Sequence, residues 1–203
     1  QSKGRKLSAA GMIKSDNLWS NKIEDDVAGR DFTINALYLR YEDSAVLDYV
    51  GGWDDLVHKR LRCIGDPLVR FKEDPIRMLR AVRFAAKLSL TISEDIIEAI
   101  QEHKKLLRHV PKQRMFTEIT KIYYSGYASQ AQKLLVQLGL FDILFPENAG
   151  SRQKEMVKEM LTGFSYQADK RFKSGASLSV VYLYASLYWG AYQCKMQKKK
   201  LRY

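Results

Sequence analysis

The segment RFKEDPIRMLRAVRFAAKL, residues 70–88, carries the clearest structural signal in this 203-residue sequence. On a helix at about 100° per residue, Arg77, Arg80 and Arg83 form one stripe roughly 120° wide. The opposite arc carries apolar side chains, at Met78, Leu79, Val82, Ala85 and Ala86. The spacing therefore predicts a helix over 75–88 that packs on one face and presents guanidinium groups on the other.

Asp74 and Pro75 mark the start of this helix, because an N-cap carboxylate followed by proline is a common start signal. Asp74 also precedes Arg77 by about one turn. An adjacent carboxylate and guanidinium can offer an acceptor and donors in the plane of a nucleobase edge. We therefore predict that Asp74 and Arg77 recognise the base. We predict that Arg80 and Arg83 contact phosphate or the face of the base.

A plainer interpretation of the same helix stays open from periodicity alone. Asp74 is then only the N-cap, the arginines form a solvated face, and Glu73 and Asp74 pair with them locally. Most charged stripes on amphipathic helices are of this kind. The choice between the two interpretations depends on the rest of the chain.

Upstream of this helix the pattern is that of a β-hairpin. DFTINALYLRY at 31–41 is β-branched and aromatic, EDS at 42–44 is turn-like, and AVLDYV at 45–50 is apolar. A short strand at 61–65 follows, and the rest of the chain has a helical period. The candidate helices lie at 53–58, 66–72, 75–88, 93–107, 112–125, 128–139, 152–163 and 177–196. The apolar segment at 178–191 is too short and too rich in Ser and Tyr to span a bilayer, and predicts a buried helix.

The overall charge favours a polyanionic partner. The 34 Lys and Arg against 23 Asp and Glu give a formal net charge of +11, which points first to nucleic acid. Cys63 and Cys194 have no paired-ligand spacing, so neither a disulfide framework nor a zinc site is predicted. The basic N-terminus has no apolar run of a signal peptide. We expect a cytoplasmic protein with no membrane partner.

Three motifs in a fixed order resemble one family. EDPIRMLRAVRFAAKL at 73–88, preceded by IGDPLVRF at 64–71, is similar to the base-selecting motif of class II template-independent RNA nucleotidyltransferases. That family includes bacterial poly(A) polymerases and CCA-adding enzymes. GRDFTINALYL at 29–39 resembles its RRDFTIN motif. LDYVGGWDDL at 47–56 resembles the short motif that joins its head to its neck.

The resemblance implies roles for individual residues. It assigns base selection to Asp74 and Arg77. It places Arg30 and Asp31 near the sugar and phosphates of the nucleotide, with Asp31 as the candidate catalytic residue. Gly29 departs from the family, which usually has an arginine there. Asp31 could instead be a turn or strand-entry residue, because Asp is common at such boundaries.

The resemblance also implies an α+β fold, in which a small β-hairpin remnant of a nucleotidyltransferase head precedes an all-α neck and body. Residues 1–60 would form the C-terminal part of the head. Residues 61–147 would form a helical neck with the nucleotide-recognition and RNA-binding region. Residues 148–203 would form a helical body that contributes to RNA binding.

The implied substrate is ATP, the implied partner an RNA 3′ end, and the implied cofactor Mg²⁺. In the family an Asp-x-Asp metal pair stands well upstream of RRDFTIN, whereas the acidic cluster at 24–26 lies too close to Asp31. Metal ions held by carboxylates activate the attacking hydroxyl in such reactions. We therefore expect the metal ligands upstream of this chain, which would be a fragment and inactive alone.

Poly(A) addition is the favoured activity within the family. Pro75 after the Asp, and the closing KL at 87–88, resemble poly(A) polymerases of proteobacteria, and the positive charge suits an enzyme that holds unrelated RNA ends. CCA addition to tRNA is the alternative. An alternative of another class is an RNA-binding module that has lost catalysis.

Overall fold

The computed structural model describes residues 23–146 and 154–200. They fall into two compact units that adjoin in the sequence at Pro111 and Lys112. The described part of the first unit combines two small sheets with short helices, and that of the second is helical. The α+β class expected from the sequence is confirmed.

The first unit alternates short strands and helices. In chain order they are α1 (Ile23–Gly29), β1 (Leu37–Leu39), β2 (Val46–Asp48), α2 (Gly52–Val57), β3 (Arg60–Leu61), α3 (Pro67–Glu73), α4 (Ile76–Leu88), β4 (Thr91–Ile92) and α5 (Glu94–His103). Two 3-10 stretches complete it, at Thr33–Asn35 and Lys104–His109. The helix predicted over 93–107 is thus divided between α5 and the second of these stretches.

The predicted hairpin is present but shorter than the sequence pattern. β1 and β2 pair antiparallel, with Tyr38 opposite Leu47. Residues 33–35, which the sequence assigns to the first strand, form the 3-10 stretch instead. The physical reason is a local polar contact, since the side-chain amide of Asn35 donates to the Asp31 carboxylate at 2.9 Å and closes the turn.

The strand predicted at 61–65 is present only as β3 at Arg60–Leu61, and its partner β4 was not predicted. β3 pairs in parallel with β4, placing Leu61 opposite Ile92, and α3 and α4 form the crossover between them. The backbone of Thr91 donates to Lys59 at 2.7 Å, and that of Ser93 to Leu61 at 3.2 Å. Two-residue strands have no period, so β4 leaves no sequence signal.

Helix α4 has the faces that its sequence predicts, but it begins one residue later than predicted, with Pro75 rather than Asp74 at the N-cap position. It begins directly after Pro75, and the Asp74 carboxylate accepts from the backbone of Ile76 at 3.4 Å. The helix ends where Ser89 adopts a left-handed conformation, with the backbone of Leu90 donating to Ala85. The buried residues of the helix are Ile76, Met78, Leu79, Ala81, Val82, Ala85 and Ala86.

The second unit is built from five helices in its described residues. They are α6 (Lys112–Tyr123), α7 (Ala128–Gln137), α8 (Phe141–Leu144), α9 (Lys154–Lys173) and α10 (Val180–Lys200). α8 was not predicted, because one turn is too short for a period. α9 extends ten residues beyond its predicted end at 163. Its Asp169 carboxylate accepts from the first backbone amides of α7, Ala128 at 2.5 Å and Ser129 at 2.9 Å, which satisfies donors that the helix itself cannot.

The prediction that residues 178–191 form a buried helix is wrong. Leu183 and Leu187 are fully buried, whereas Val181 is 78% exposed and Trp189 43% exposed. Apolar and aromatic residues occur all round α10, but only one side of it packs against a neighbour. Among the described residues, no helix is long and apolar enough to cross a membrane.

The segment between the hairpin and α2 is a tight turn organised by Asp48. Its carboxylate accepts backbone hydrogen bonds from four residues at 2.9 to 3.1 Å, namely Val50, Gly51, Gly52 and Trp53. A Cβ atom at Gly52 would lie 2.2 Å from the carbonyl oxygen of Thr33. The close backbone contact therefore requires glycine at this position.

We expect Gly52→Ala to lower the free energy of unfolding by about 2–3 kcal/mol, because the backbone must move to admit the methyl group. Urea denaturation of the variant and of the parent measures the difference. Gly29→Ala is the matched control, since a Cβ there meets nothing within 4 Å. Equal stability of the two variants would contradict the close contact.

Candidate nucleotide-binding site

The buried carboxylate of Asp31 connects α4 to the segment ahead of the hairpin. Asp31 is 6% exposed. Its Oδ2 accepts from Nε of Arg80 at 2.5 Å, and its Oδ1 accepts from the Asn35 amide at 2.9 Å and the Phe32 backbone at 3.0 Å. The 3-10 stretch supplies the amide, and the polar stripe of α4 supplies the guanidinium.

The pKa of Asp31 reflects a balance between burial and these donors. Burial raises the pKa, but the hydrogen bonds from Arg80 and Asn35 lower it further, so the net direction is below the usual value for Asp. Asp31 is therefore a carboxylate at neutral pH. Its negative charge is neutralised within the fold by Arg80.

Arg80 and Arg83 both lie against the ring of Phe84. The Cζ atom of Arg83 is 4.3 Å from the ring centroid, and that of Arg80 is 5.6 Å away. The ring in turn meets Phe32 edge to face, with centroids 5.9 Å apart. Cations over an aromatic face are attracted by its quadrupole, so Phe84 restrains two of the predicted nucleotide-binding arginines.

Arg70 and Arg77 share one carboxylate at the junction of α3 and α4. Glu73 Oε2 lies 3.2 Å from Arg70 Nη1 and 3.4 Å from Arg77 Nη1. The Arg77 guanidinium also donates to the backbone carbonyl of Arg70 at 2.9 Å. The two arginine side chains are only 12% and 16% exposed. The stripe is therefore not a fully solvated face, although local pairing with Glu73 is present.

Asp74 and Arg77 are adjacent, as the sequence predicts, but the contact between them is made by the backbone. The Arg77 amide donates to the Asp74 carbonyl at 3.1 Å. The half-buried Asp74 carboxylate lies over the start of α4, 3.4 Å from the Ile76 amide. The carboxylate at the Arg77 guanidinium is that of Glu73. A shared base edge for the two side chains stays a prediction.

Arg30 is joined to the site through its backbone. Its carbonyl accepts from Nη2 of Arg70 at 2.6 Å, across 40 residues of sequence. Its exposed guanidinium pairs with Asp26 at 2.8 Å, and the Tyr38 hydroxyl donates to the same carboxylate at 2.6 Å. The hydrogen bonds from Tyr38 and Arg30 hold the pKa of Asp26 below its usual value.

Cys63 lies beside the backbone of Asp31 and Phe32. Its thiol lies 3.3 Å from the backbone carbonyl of Asp31, and an isolated β-bridge joins it to Phe32. Burial raises the pKa of Cys63 to about 11, so the group remains a thiol and can donate to that carbonyl. The cysteine is thus a structural neighbour of Asp31.

Several residues of the site were not singled out by the sequence. Arg70 and Phe84 lie inside the segment that decides the fold, but spacing does not show which of its charged and aromatic residues converge. Glu73 was expected only as a local partner of the arginines. Asn35 offers a weak signal, since an amide four residues after an acid can turn back to it. Among the described residues, no group of three His, Cys, Asp or Glu side chains could hold a metal ion.

Two family models match this chain. The model described as the poly A polymerase head domain matches residues 4–62. The model described as the probable RNA and SrmB-binding site of polymerase A matches residues 89–150. The two matches flank α4, which carries the arginine stripe.

Individual proteins of known family also match this chain. The chain is 40% identical over 186 residues to poly(A) polymerase I of Escherichia coli O6:H1, covering 88% of this chain and 39% of that protein. It is 42% identical over 124 residues to the CCA-adding enzyme of Bacillus subtilis, covering 61% of this chain and 31% of that enzyme. A solved tRNA nucleotidyltransferase, complexed with a primer tRNA and an incoming ATP analog, matches with a TM-score of 0.67 and 26% identity over 84% of this chain and 50% of that one.

The fold is that of the template-independent RNA nucleotidyltransferases. The chain belongs to the family of bacterial poly(A) polymerases and CCA-adding enzymes. It spans about two fifths of the length of the poly(A) polymerases that it matches.

Replacing Arg80 by Ala is expected to lower the free energy of unfolding at neutral pH by roughly 2–4 kcal/mol, because a buried carboxylate loses its cation. Asp31 has a lowered pKa, so its ion pair stabilises the fold above the pKa of the unfolded chain, near 4, and is lost as pH falls through the lower folded value. The difference in free energy of unfolding between the parent and the Arg80 variant should therefore shrink below about pH 4. Chemical denaturation over pH 3–7 measures it.

Arg40→Ala is the matched control for this experiment. Arg40 and Asp43 form an ion pair of the same 2.5 Å length, but both side chains are half exposed. Solvent screens such a pair, so its loss should change stability little at any pH. An Arg80 variant that behaves like the Arg40 variant would contradict the structural role of the buried pair.

Proposed function

We propose that the protein carrying this chain is a poly(A) polymerase, which adds adenosines from ATP to RNA 3′ ends without a template. The observation that carries the proposal is the tether between Asp31 and Arg80, which joins the RRDFTIN-like segment to the arginine stripe of α4. Two motifs distant in sequence thereby form one pre-arranged cationic surface. Similarity to poly(A) polymerase I over 88% of the chain supports poly(A) addition in particular.

The proposed nucleotide site divides its work among the stripe residues. Asp74 and Arg77 read the base, since adenine offers an amino donor and a ring-nitrogen acceptor on its pairing edge. Arg83 and Arg80, held on the Phe84 ring, meet phosphate or the base plane. The geometry supports a role for these residues in orienting the nucleotide rather than in proton transfer. Charged groups that the fold already holds in place need no reorganisation when the triphosphate binds.

Arg30 and Asp31 complete the proposed site on the head side. The exposed Arg30 guanidinium can reach a ligand from outside. Asp31, the candidate catalytic residue, is committed to Arg80 in the nucleotide-free fold, so its first effect is to position that arginine. Any direct contact of Asp31 with the nucleotide would have to use an oxygen that already accepts hydrogen bonds.

The described residues do not fit a metal site, since they hold no suitable cluster of ligands. The Mg²⁺ that the family implies would be bound by carboxylates outside them. When bound, it would supply activation of the RNA 3′-hydroxyl and stabilisation of the leaving pyrophosphate. The part played by the described residues is to bind and orient ATP.

The division of labour along the chain is also a proposal. Residues 1–60 would complete the head, 61–147 would form the neck with the nucleotide-reading helix, and 148–203 would form the body. The head and RNA-binding matches at 4–62 and 89–150 support the first two assignments. A cytoplasmic location, where ATP and RNA occur together, stays a prediction.

CCA addition is the second candidate, favoured by the 42% identity to the Bacillus subtilis enzyme. The two activities share the site and differ in product. Given ATP, CTP and either an unstructured RNA or an immature tRNA, a poly(A) polymerase extends both with adenosines, whereas a CCA-adding enzyme completes only the tRNA and stops. A protein that binds RNA and extends neither would be the non-catalytic module.

Arg77→Ala in the intact protein should reduce ATP utilisation about ten- to a hundredfold, because a charge-assisted contact to the base is lost. The preference for ATP over the other nucleotides should narrow as well. Arg83→Ala should instead reduce incorporation of all four nucleotides alike, since phosphate is common to them. Primer extension with each nucleotide separately measures both effects.

Arg77→Lys distinguishes base reading from a loss of folding. It keeps the positive charge near Glu73 but lacks the planar fork, so it should fold like the parent and still lose ATP preference. Thermal unfolding of each variant checks the fold. Unchanged ATP preference in folded Arg77 variants would show that the stripe holds α3 to α4 and does not read the base.

A further inference from the structure

The side chain of Arg70 joins two segments that are far apart in the sequence, although the sequence motifs give this residue no role of its own. Arg70 lies in α3, and its side chain is only 12% exposed. Nη2 donates to the backbone carbonyl of Arg30 at 2.6 Å and to that of Gly29 at 3.2 Å. Nη1 donates to Glu73 Oε2 at 3.2 Å. One guanidinium therefore connects α3 to the segment that precedes Asp31.

The backbone of Arg70 takes part in the site as well. Its carbonyl oxygen accepts from Nη1 of Arg77 at 2.9 Å. The same Arg77 nitrogen lies 3.4 Å from Glu73 Oε2. Arg77, the residue proposed to read the base, is thus held by the Arg70 carbonyl and by the carboxylate that the Arg70 side chain also binds. The position of the Arg77 guanidinium depends on Arg70 through both contacts.

The sharing of Glu73 by two arginines has an electrostatic consequence. The carboxylate carries one negative charge, whereas the two guanidinium groups beside it carry two positive charges. Each guanidinium weakens the hold of Glu73 on the other, because like charges repel at this distance. Without Arg70, more of the attraction of Glu73 would act on Arg77. The protein would then bind the Arg77 guanidinium more tightly, and fewer of its donors would be available to a base.

We infer that Arg70 is a positioning residue for base selection, which acts through Glu73 and Arg77. Its guanidinium sets the backbone ahead of Asp31, where the sugar and phosphates of the nucleotide are proposed to lie, in a defined position relative to Arg77. A contact to a base edge discriminates between bases only if its donors are held in the productive geometry. The inference rests on the proposed function, because it requires Arg77 to read the base.

Arg70→Met in the intact protein tests this role, because it keeps an apolar stem and removes the charge and every donor. We expect the ratio of kcat/KM for ATP to that for GTP to fall about three- to thirtyfold, a usual size for coupling within one hydrogen-bonded network. GTP is the informative competitor, since guanine presents a carbonyl oxygen where adenine presents an amino group. Extension of an RNA primer with each nucleotide separately measures the ratio.

A double-mutant cycle with Arg77→Ala separates positioning from folding. Arg70→Met should lower the ATP-to-GTP ratio of the parent but leave that of the Arg77→Ala variant unchanged, because no guanidinium remains to be positioned. A fall of the same size in both backgrounds would show that Arg70 acts independently of Arg77, and would overturn the inference. An equal loss of activity with ATP and GTP in the single Arg70 variant would overturn it as well, since a damaged fold has that effect.

Arg62→Met is the control matched in chemistry. Arg62 likewise joins a buried carboxylate to a distant backbone carbonyl, with Nε 2.8 Å from the Asp55 carboxylate and Nη2 3.4 Å from the Val50 oxygen. Neither partner belongs to the junction of α3 and α4. This variant should lose stability in thermal unfolding, because buried Asp55 loses a cation, but should keep the ATP-to-GTP ratio of the parent. A ratio that falls as far as in the Arg70 variant would contradict a specific role for Arg70.

Arg70→Lys replaces the Met variant in the same cycle if that variant does not fold. Lysine keeps a cation beside Glu73 but lacks the fork that also reaches residues 29–30, so the ratio should fall by roughly two- to fivefold. A parent that does not extend RNA, or an Arg77→Ala variant that keeps the preference for ATP, would refute the proposed function or its base reading, and the inference with it. A preference that depends on Arg77 but not on Arg70 would refute the inference alone.

Discussion

The buried ion pair between Asp31 and Arg80 is the constraint on which the first unit depends. A carboxylate that is almost fully buried must have a cation and hydrogen-bond donors, and Asp31 obtains them from α4 and from Asn35. Meeting that requirement fixes the segment before the hairpin against the helix. It also forces residues 33–35 out of strand geometry, so the hairpin begins only at Leu37.

The same requirement explains why the arginine stripe is half buried rather than solvated. Like charges on one helix face repel, and a stripe of guanidinium groups needs compensation. Glu73 lies beside Arg70 and Arg77, Asp31 beside Arg80, and the Phe84 ring beside Arg83. Arg77, Arg80 and Arg83 are thus each held by a different partner, and Arg70 shares Glu73 with Arg77. Charged groups fixed in this way need little rearrangement to bind an anion.

The second unit poses a different physical problem. Its helices bury one side well, through Leu183 and Leu187 in α10 and through the Asp169 cap on α7. It nevertheless exposes aromatic rings in a unit whose fifteen Lys and Arg against six Asp and Glu give a net charge of +9. Exposed rings carry a free energy cost in water, so a helix face of this kind ordinarily has a partner.

The sequence by itself determined the elements whose signal is local. Helix α4, its apolar and cationic faces, its start after Asp74 and Pro75 and the existence of the hairpin all follow from periodicity and turn chemistry over a few residues. The order of three motifs likewise sufficed to indicate the family. Tertiary structure decided which charges meet, because contacts such as Arg70 with the Arg30 carbonyl join residues far apart in the sequence. It also decided the parallel pairing of β4 and the exposure of α10, since a two-residue strand and an evenly apolar helix acquire their roles only from their neighbours.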